Sequence, residues 1–194
     1  VDDISKYNLM KESIEEFKPV FHRTKWGDYN YYVKSLISSV DEVKKNRITK
    51  ESYFEFIEKD KNWQPKLKDL YLKKQEQEEL LKQNKRNSFK TTSNDIENLE
   101  KKIGKAKEVW AIYEIYSKKL KQNNFIDFND MINFVLDVFE TDQEFLEKIR
   151  SNYTYFLIDE DQDTNFSQNS LIFALAGNDN SSNIFVVGDD YQIK

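Results

Sequence analysis

Two short apolar runs near the C-terminal end, each closed by carboxylates, constrain this chain more than any other feature of its sequence. The first, Tyr153 to Ile158, runs directly into Asp159 and Glu160. The second, Ile184 to Val187, runs into Gly188 and Asp189. Runs this short, rich in β-branched and aromatic residues, read as buried strands. Between them, Phe166 to Ala176 reads as a helix. Strands joined through a helix pair in parallel. Ligands of open α/β sheets bind outside the carboxyl ends of such strands. The sequence therefore predicts a small α/β part with an acidic edge.

The rest of the chain predicts helices. Only four glycines and two prolines punctuate 194 residues, so long helices are expected. Apolar residues at helical spacing mark residues 3–18, with Pro19 ending the run, and residues 28–45, with Asp28 as a candidate N-cap. Thr49 caps a third helix through Tyr53, Phe54, Phe56 and Ile57. Residues 66–86 read as a long exposed helix, 87–94 as a polar loop and 95–122 as the clearest helix of all. These two long helices would form a hairpin, with Lys82, Lys85, Arg86 and Lys90 at or near its tip. Segments 127–139 and 142–150 complete the helical set, giving a mostly α chain with a small α/β part.

Charge divides the chain in the same way. Residues 1–125 hold 27 basic and 21 acidic residues, a net of +6; residues 126–194 hold 3 and 14, a net of −11. A basic part could face a polyanion, and an acidic part could hold a divalent cation. The alternative is a solvated Lys/Glu surface. Without cysteine there are no disulfides or thiolate metal sites, which fits a reducing cytoplasm. No apolar run approaches the ~20 residues of a membrane span. The single histidine, His22, cannot build a histidine metal cluster and reads as structural.

The chemistry concentrates at Asp159-Glu160-Asp161-Gln162-Asp163-Thr164-Asn165. A strand that delivers two adjacent carboxylates has Walker B geometry. One carboxylate can hold Mg²⁺, which prefers hard oxygen ligands and keeps several waters; the next can activate a water. The dyad alone is common, but its continuation is specific. The segment resembles motif II of the UvrD/Rep/PcrA family of superfamily 1 DNA helicases, a strand followed by D-E-x-Q-D-T-N. Val186-Val187-Gly188-Asp189-Asp190-Tyr191-Gln192 resembles the family's motif III, V-V-G-D-x-x-Q. Asn124-Phe125-Ile126-Asp127-Phe128-Asn129-Asp130-Met131 resembles its N-x-x-D-F-x-D-L element, preceded by Tyr113 and Tyr116 in the family's Y-x-x-Y spacing.

The resemblance implies a division of the chain. Residues 1–108 would be the helical insertion subdomain (1B), and residues 109–194 part of the RecA-like P-loop NTPase motor domain (1A). It also implies roles. Asp159 would bind Mg²⁺ and Glu160 would be the catalytic base. Gln192 would sense the γ-phosphate, Gln162 and Asp163 would support the site through hydrogen bonds, and Asp189 would position the motif III loop. ATP and Mg²⁺ would be the cofactors. Single-stranded DNA and the single/double-strand junction would be partners, together with the remainder of the motor. Asp127 is expected as a helix cap rather than a catalytic group.

Two departures stand out. Asp161 adds a third acid where the family usually has an aromatic or aliphatic residue, and Ile193-Lys194 follow Gln192 where the family has Ser. No G-x-x-x-x-G-K-[ST] loop occurs in these residues, so nothing in them cradles the β/γ-phosphates. The expectation is a helicase fragment, inactive alone, whose parent extends upstream. The alternative is a degenerate helicase-like module that binds DNA or protein without hydrolysing ATP. A Ca²⁺ loop at 159 is weak, because Thr164 and Ser170 stand where an EF-hand needs Gly and Glu. Lys101, Lys102, Lys105 and Lys107 could meet DNA phosphate as a group or form a solvated face. Trp26, Trp63 and Trp110 read as core aromatics rather than base-stacking platforms.

Overall fold

The computed structural model describes residues 1–22, 28–60, 63–82, 89–177 and 183–189. Along the chain run α1 (Asp3–Phe17), α2 (Val33–Lys45), α3 (Lys50–Lys59), α4 (Gln64–Lys82), α5 (Phe89–Gln122), α6 (Phe128–Thr141), α7 (Gln143–Arg150), β1 (Phe156–Ile158), α8 (Phe166–Ala176) and β2 (Ile184–Val186). The chain is mostly helical with a two-stranded sheet among its described residues. No described helix is long and apolar enough to cross a membrane.

The chain forms two compact units. One comprises residues 3–40 and 49–123; the other comprises 1–2, 41–48 and 124–194. Residue 108 lies within α5, and α5 belongs to the first unit along its whole length.

In the first unit, α1 and α4 pack along α5. From α1, Leu9, Met10 and Ile14 are buried; from α5, so are Ile112, Tyr116 and Leu120. A neighbouring cluster gathers Ile57, Leu70, Ile96, Leu99 and Ile103, with Trp63 and Leu67 packed against it. Trp110 is buried against the rings of Tyr53, Phe54 and Tyr113. The Tyr53 hydroxyl, whose pKa burial raises to about 12, donates to the Ala106 carbonyl at 2.8 Å. Trp63 and Trp110 are thus packing residues, and Trp26 lies outside the described residues.

Glu108 anchors the segment after α1. Its carboxylate accepts from the backbone N–H groups of Val20 (2.5 Å), Phe21 (2.9 Å) and His22 (2.9 Å), and its Oε2 lies 2.9 Å from His22 Nδ1. Gly104 lets this segment approach α5, since a Cβ there would sit 2.3 Å from Phe21 Cε2. Both His22 and Glu108 are buried. Burial lowers the His22 pKa from its ordinary 6.5, outweighing the attraction of Glu108.

The second unit holds the sheet. β1 and β2 run parallel, pairing Phe156 with Ile184, Leu157 with Phe185 and Ile158 with Val186. The three-residue pairing is shorter than the apolar run at 153–158, because its partner begins only at Ile184. α8 connects the strands, and α6 and α7 pack against it. The end of α2 is fixed to this unit by Lys44, whose side chain is only 1% exposed. Its Nζ lies 2.6 Å from Asp127 Oδ2 and 2.7 Å from Asp130 Oδ1. Asp127 is also the N-cap of α6, accepting from Asp130 N in a capping box. Its expected structural role is what the geometry supports.

Two expectations about helix limits need correction. Asp28 does not cap an α-helix. Its Oδ1 accepts from Asn30 N, a side-chain turn that leads first into the 3₁₀ turn Asn30–Tyr32, and α2 begins only at Val33. The polar segment 87–94 is not a loop throughout, because α5 starts at Phe89; it has no glycine or proline to stop a helix.

Removing one partner of a buried ion pair strands the other charge. Lys44→Met should therefore cost about 3 kcal/mol of unfolding free energy by urea denaturation; a loss under about 1 kcal/mol would mean the carboxylates are solvated. For His22, the unfolded chain takes up the proton more readily than the folded chain. Stability should thus be fully present above pH 6.5 and decline as pH falls below it. Measured as unfolding free energy against pH, this slope should flatten in His22→Gln.

Candidate functional site

β1 ends at Ile158, and the chain turns sharply at Glu160. Glu160 has φ 55° and ψ 44°, the left-handed region that non-glycine residues rarely occupy. Such conformations cost about 1–3 kcal/mol and collect at functional sites. The turn continues as the 3₁₀ segment Asp161–Asp163. Asp159 and Glu160 are both exposed at the carboxyl end of β1, and Asp159 Oδ1 accepts from Glu160 N at 3.0 Å.

Backbone bonds lock this turn to the end of β2. Val187 N donates to Ile158 O at 2.8 Å, and Asp161 N donates to Val187 O at 3.1 Å. Within the turn, Asp163 N donates to Glu160 O at 2.9 Å. The Asp163 contact to this turn is thus made by its main chain. Thr164 Oγ1 donates to Asp161 O at 2.7 Å and lies 2.9 Å from Asn169 Oδ1. Asn165 then caps α8, accepting from Gln168 N while Gln168 Oε1 accepts from Asn165 N.

Gln162 reaches across the turn in both directions. Its Nε2 donates to Glu160 Oε2 at 2.5 Å, and its Oε1 accepts from Asp189 N at 2.8 Å. A Cβ on Gly188 would sit 2.9 Å from that oxygen, closer than side-chain carbons pack. The glycine between Val187 and Asp189 therefore makes room for the glutamine.

Asp159, Glu160, Gln162, Asp163 and Asp189 are brought together at one sheet edge. Asp161 is half-buried beside Gly188, with its main chain committed to Val187 and Thr164. Among the described residues, no three His, Cys, Asp or Glu side chains gather as a metal cage.

Gln192, Lys85 and Arg86 lie outside the described residues. Lys82 ends α4 and Lys90 is in the first turn of α5. Lys101, Lys102 and Lys105 share a stretch of α5 but face different surroundings. Lys101 lines a groove with Glu97 and Glu100, Lys102 lines another with Lys66 and Asp95, and Lys105 Nζ sits 4.7 Å above the Tyr32 ring.

Sequence reasoning did not find Glu108 or Lys44. Each meets partners more than 80 residues away. Neither has a local signal, since both stand among other charged residues, Glu108 after Lys105 and Lys107 and Lys44 between Glu42 and Lys45.

A parallel strand–helix–strand unit with paired carboxylates at its carboxyl edge belongs to the α/β class that binds ligands at such edges. The chain is a member of the UvrD/REP helicase family: the model of the UvrD/REP helicase N-terminal domain matches residues 6–193. It is 37% identical over 161 residues to a probable DNA helicase II homolog of Mycoplasma capricolum, covering 82% of this chain and 20% of that protein. It is 34% identical over 162 residues to one of the subunits of the ATP-dependent helicase/nuclease of Clostridium novyi, covering 80% and 13%. Over 81 residues it is 35% identical to the ATP-dependent DNA helicase PcrA of Leuconostoc citreum, covering 42% and 10%. The chain thus spans a fifth or less of the length of these relatives. No solved structure matches it.

Proposed function

We propose that this chain is part of an ATP-dependent DNA helicase, one that couples Mg·ATP hydrolysis to movement along single-stranded DNA and to duplex unwinding. The unit of residues 41–48 and 124–194 would belong to a RecA-like motor domain, and the helical unit to the subdomain inserted into it, for which residues 1–108 were expected from the sequence. One observation carries the reading: the acidic turn after β1 is hydrogen-bonded to the carboxyl end of β2, where a parallel sheet presents its ligands.

The donor set fits Mg²⁺. The exposed carboxylate of Asp159 suits an ion that takes one or two carboxylates and fills its shell with waters and phosphate oxygens. Bound there, the ion would neutralise charge on the phosphates. Glu160 stands next to it, turned by its left-handed backbone, and would accept the proton of the attacking water. Gln192 would sense the γ-phosphate, and Asp189 would hold the loop leading to it. Lys82, Lys85, Arg86, Lys90, Lys101, Lys102 and Lys105 would contribute phosphate contacts to DNA, supported by the net +6 of residues 1–125.

The sheet also supports a larger domain. Leu157 and Phe185 are register partners on one face and are 77% and 62% exposed. Parallel sheets occur with both faces covered, so further parts of the motor would cover this one.

The test is the ATPase of the full-length parent, with and without single-stranded DNA. Glu160→Gln should lower the DNA-stimulated kcat by at least about 100-fold with little change in the KM for ATP, and residues 1–194 alone should have no turnover. Wild-type rates in Glu160→Gln would contradict the assignment of the base. A parent that binds DNA without ATPase activity would favour the binding-module alternative.

A further inference from the structure

We infer that Gln162 is a positioning residue that ties the aim of the Glu160 carboxylate to the position of the Gly188–Asp189 segment; this rests on the helicase reading above. Its side-chain amide carries a donor and an acceptor on adjacent atoms. The structure uses both at once, the donor on Glu160 Oε2 (2.5 Å) and the acceptor on Asp189 N–H (2.8 Å). No other side chain of this length does both. Glutamate would set a second carboxylate against Glu160 and could not donate to it. Asparagine is one methylene too short to reach both groups from the same backbone position.

The surroundings make this bridge a coupling device. The backbones at its two ends are fixed by Asp161 N to Val187 O and Val187 N to Ile158 O. The exposed Glu160 carboxylate is held at the front of the turn by Gln162. Asp189 is the last described residue before Gln192, three positions on in the sequence. A hydrogen bond weakens steeply once stretched or bent beyond its normal range. A displacement of about 1 Å in the Gly188–Asp189 segment would break the Asp189 bond, release the amide and let the carboxylate swing. The position of motif III would then set the aim of the base through one side chain. Gly188 fits this role, since its missing Cβ is what leaves space for the Gln162 oxygen.

The experiment uses the full-length parent and its ATPase with saturating single-stranded DNA. Gln162→Met keeps the length of the side chain and removes both bonds. It should lower the DNA-stimulated kcat about tenfold, a fraction of what a general base contributes, with the KM for ATP changed by less than about twofold. Gly188→Ala should do the same, because its Cβ displaces the amide oxygen. The double variant should be no worse than the weaker single variant, the signature of two changes acting on one interaction. Additive losses of about 100-fold would overturn the inference. So would a raised KM with unchanged kcat, which would make Gln162 a nucleotide contact. Should Gln162→Met fail to fold, Gln162→Asn with Gly188→Ala gives the same cycle. Normal kcat in these variants overturns the inference alone, whereas a wild-type parent with no DNA-stimulated ATPase overturns the helicase reading beneath it.

Discussion

The parallel pairing of Phe156–Ile158 with Ile184–Val186 is the interaction on which the acidic site depends. Two carboxylates in sequence become a site only when their turn is held at a fixed place. Here the hold is local and geometric. The last rung of the ladder, Val187 N to Ile158 O, is followed at once by Asp161 N to Val187 O. The first bond ends the strand and the second stops the turn from unwinding. Glu160 lies between them in a left-handed conformation that an isolated chain would rarely adopt. The sheet must therefore supply the free energy that holds it there.

Around that edge, the same chain uses charge in two different ways. Lys44 is buried, and its value is to join the end of α2 to the N-terminus of α6 through Asp127 and Asp130. A network of this kind adds little net stability over apolar packing, but it is costly to break from one side. At the acidic turn, Asp159 and Glu160 are exposed and meet hydrogen-bond donors from their own turn. Carboxylates left facing water are available to a cation and to a reacting water. The contrast separates Asp127, buried in an ion pair, from Asp159, whose carboxylate faces water, although both follow apolar residues in the sequence.

Much of this was legible in advance. The caps Thr49 and Asp127 stand where side-chain oxygens can meet the third residue of a helix, and each forms a capping box in the structure; Asn165 does the same, though the sequence showed it only as a motif residue. The strands were legible as short apolar runs ending in acids, and the alternation of helix and strand implied that they pair in parallel. The long-range contacts were not legible. Glu108 looks like a solvated residue on a charged helix until its carboxylate is found gathering the amides of Val20, Phe21 and His22. The left-handed turn at Glu160 carries no glycine to announce it. Gln162 was visible as a motif residue, but its two partners were not, since one of them is a backbone N–H that lies beside it only once β2 pairs with β1. The polar stretch at 87–94 gave no sign that α5 begins at Phe89, because polarity alone does not end a helix.

The most direct measurement is a high-resolution structure of the full-length parent bound to Mg²⁺ and a non-hydrolysable ATP analogue. The Asp159 carboxylate should lie in the Mg²⁺ shell or one water away from it. Glu160 should face the γ-phosphate with Gln162 bonded to both Glu160 and Asp189 N–H. A nucleotide and metal bound away from the carboxyl edge of β1 and β2 would contradict both expectations.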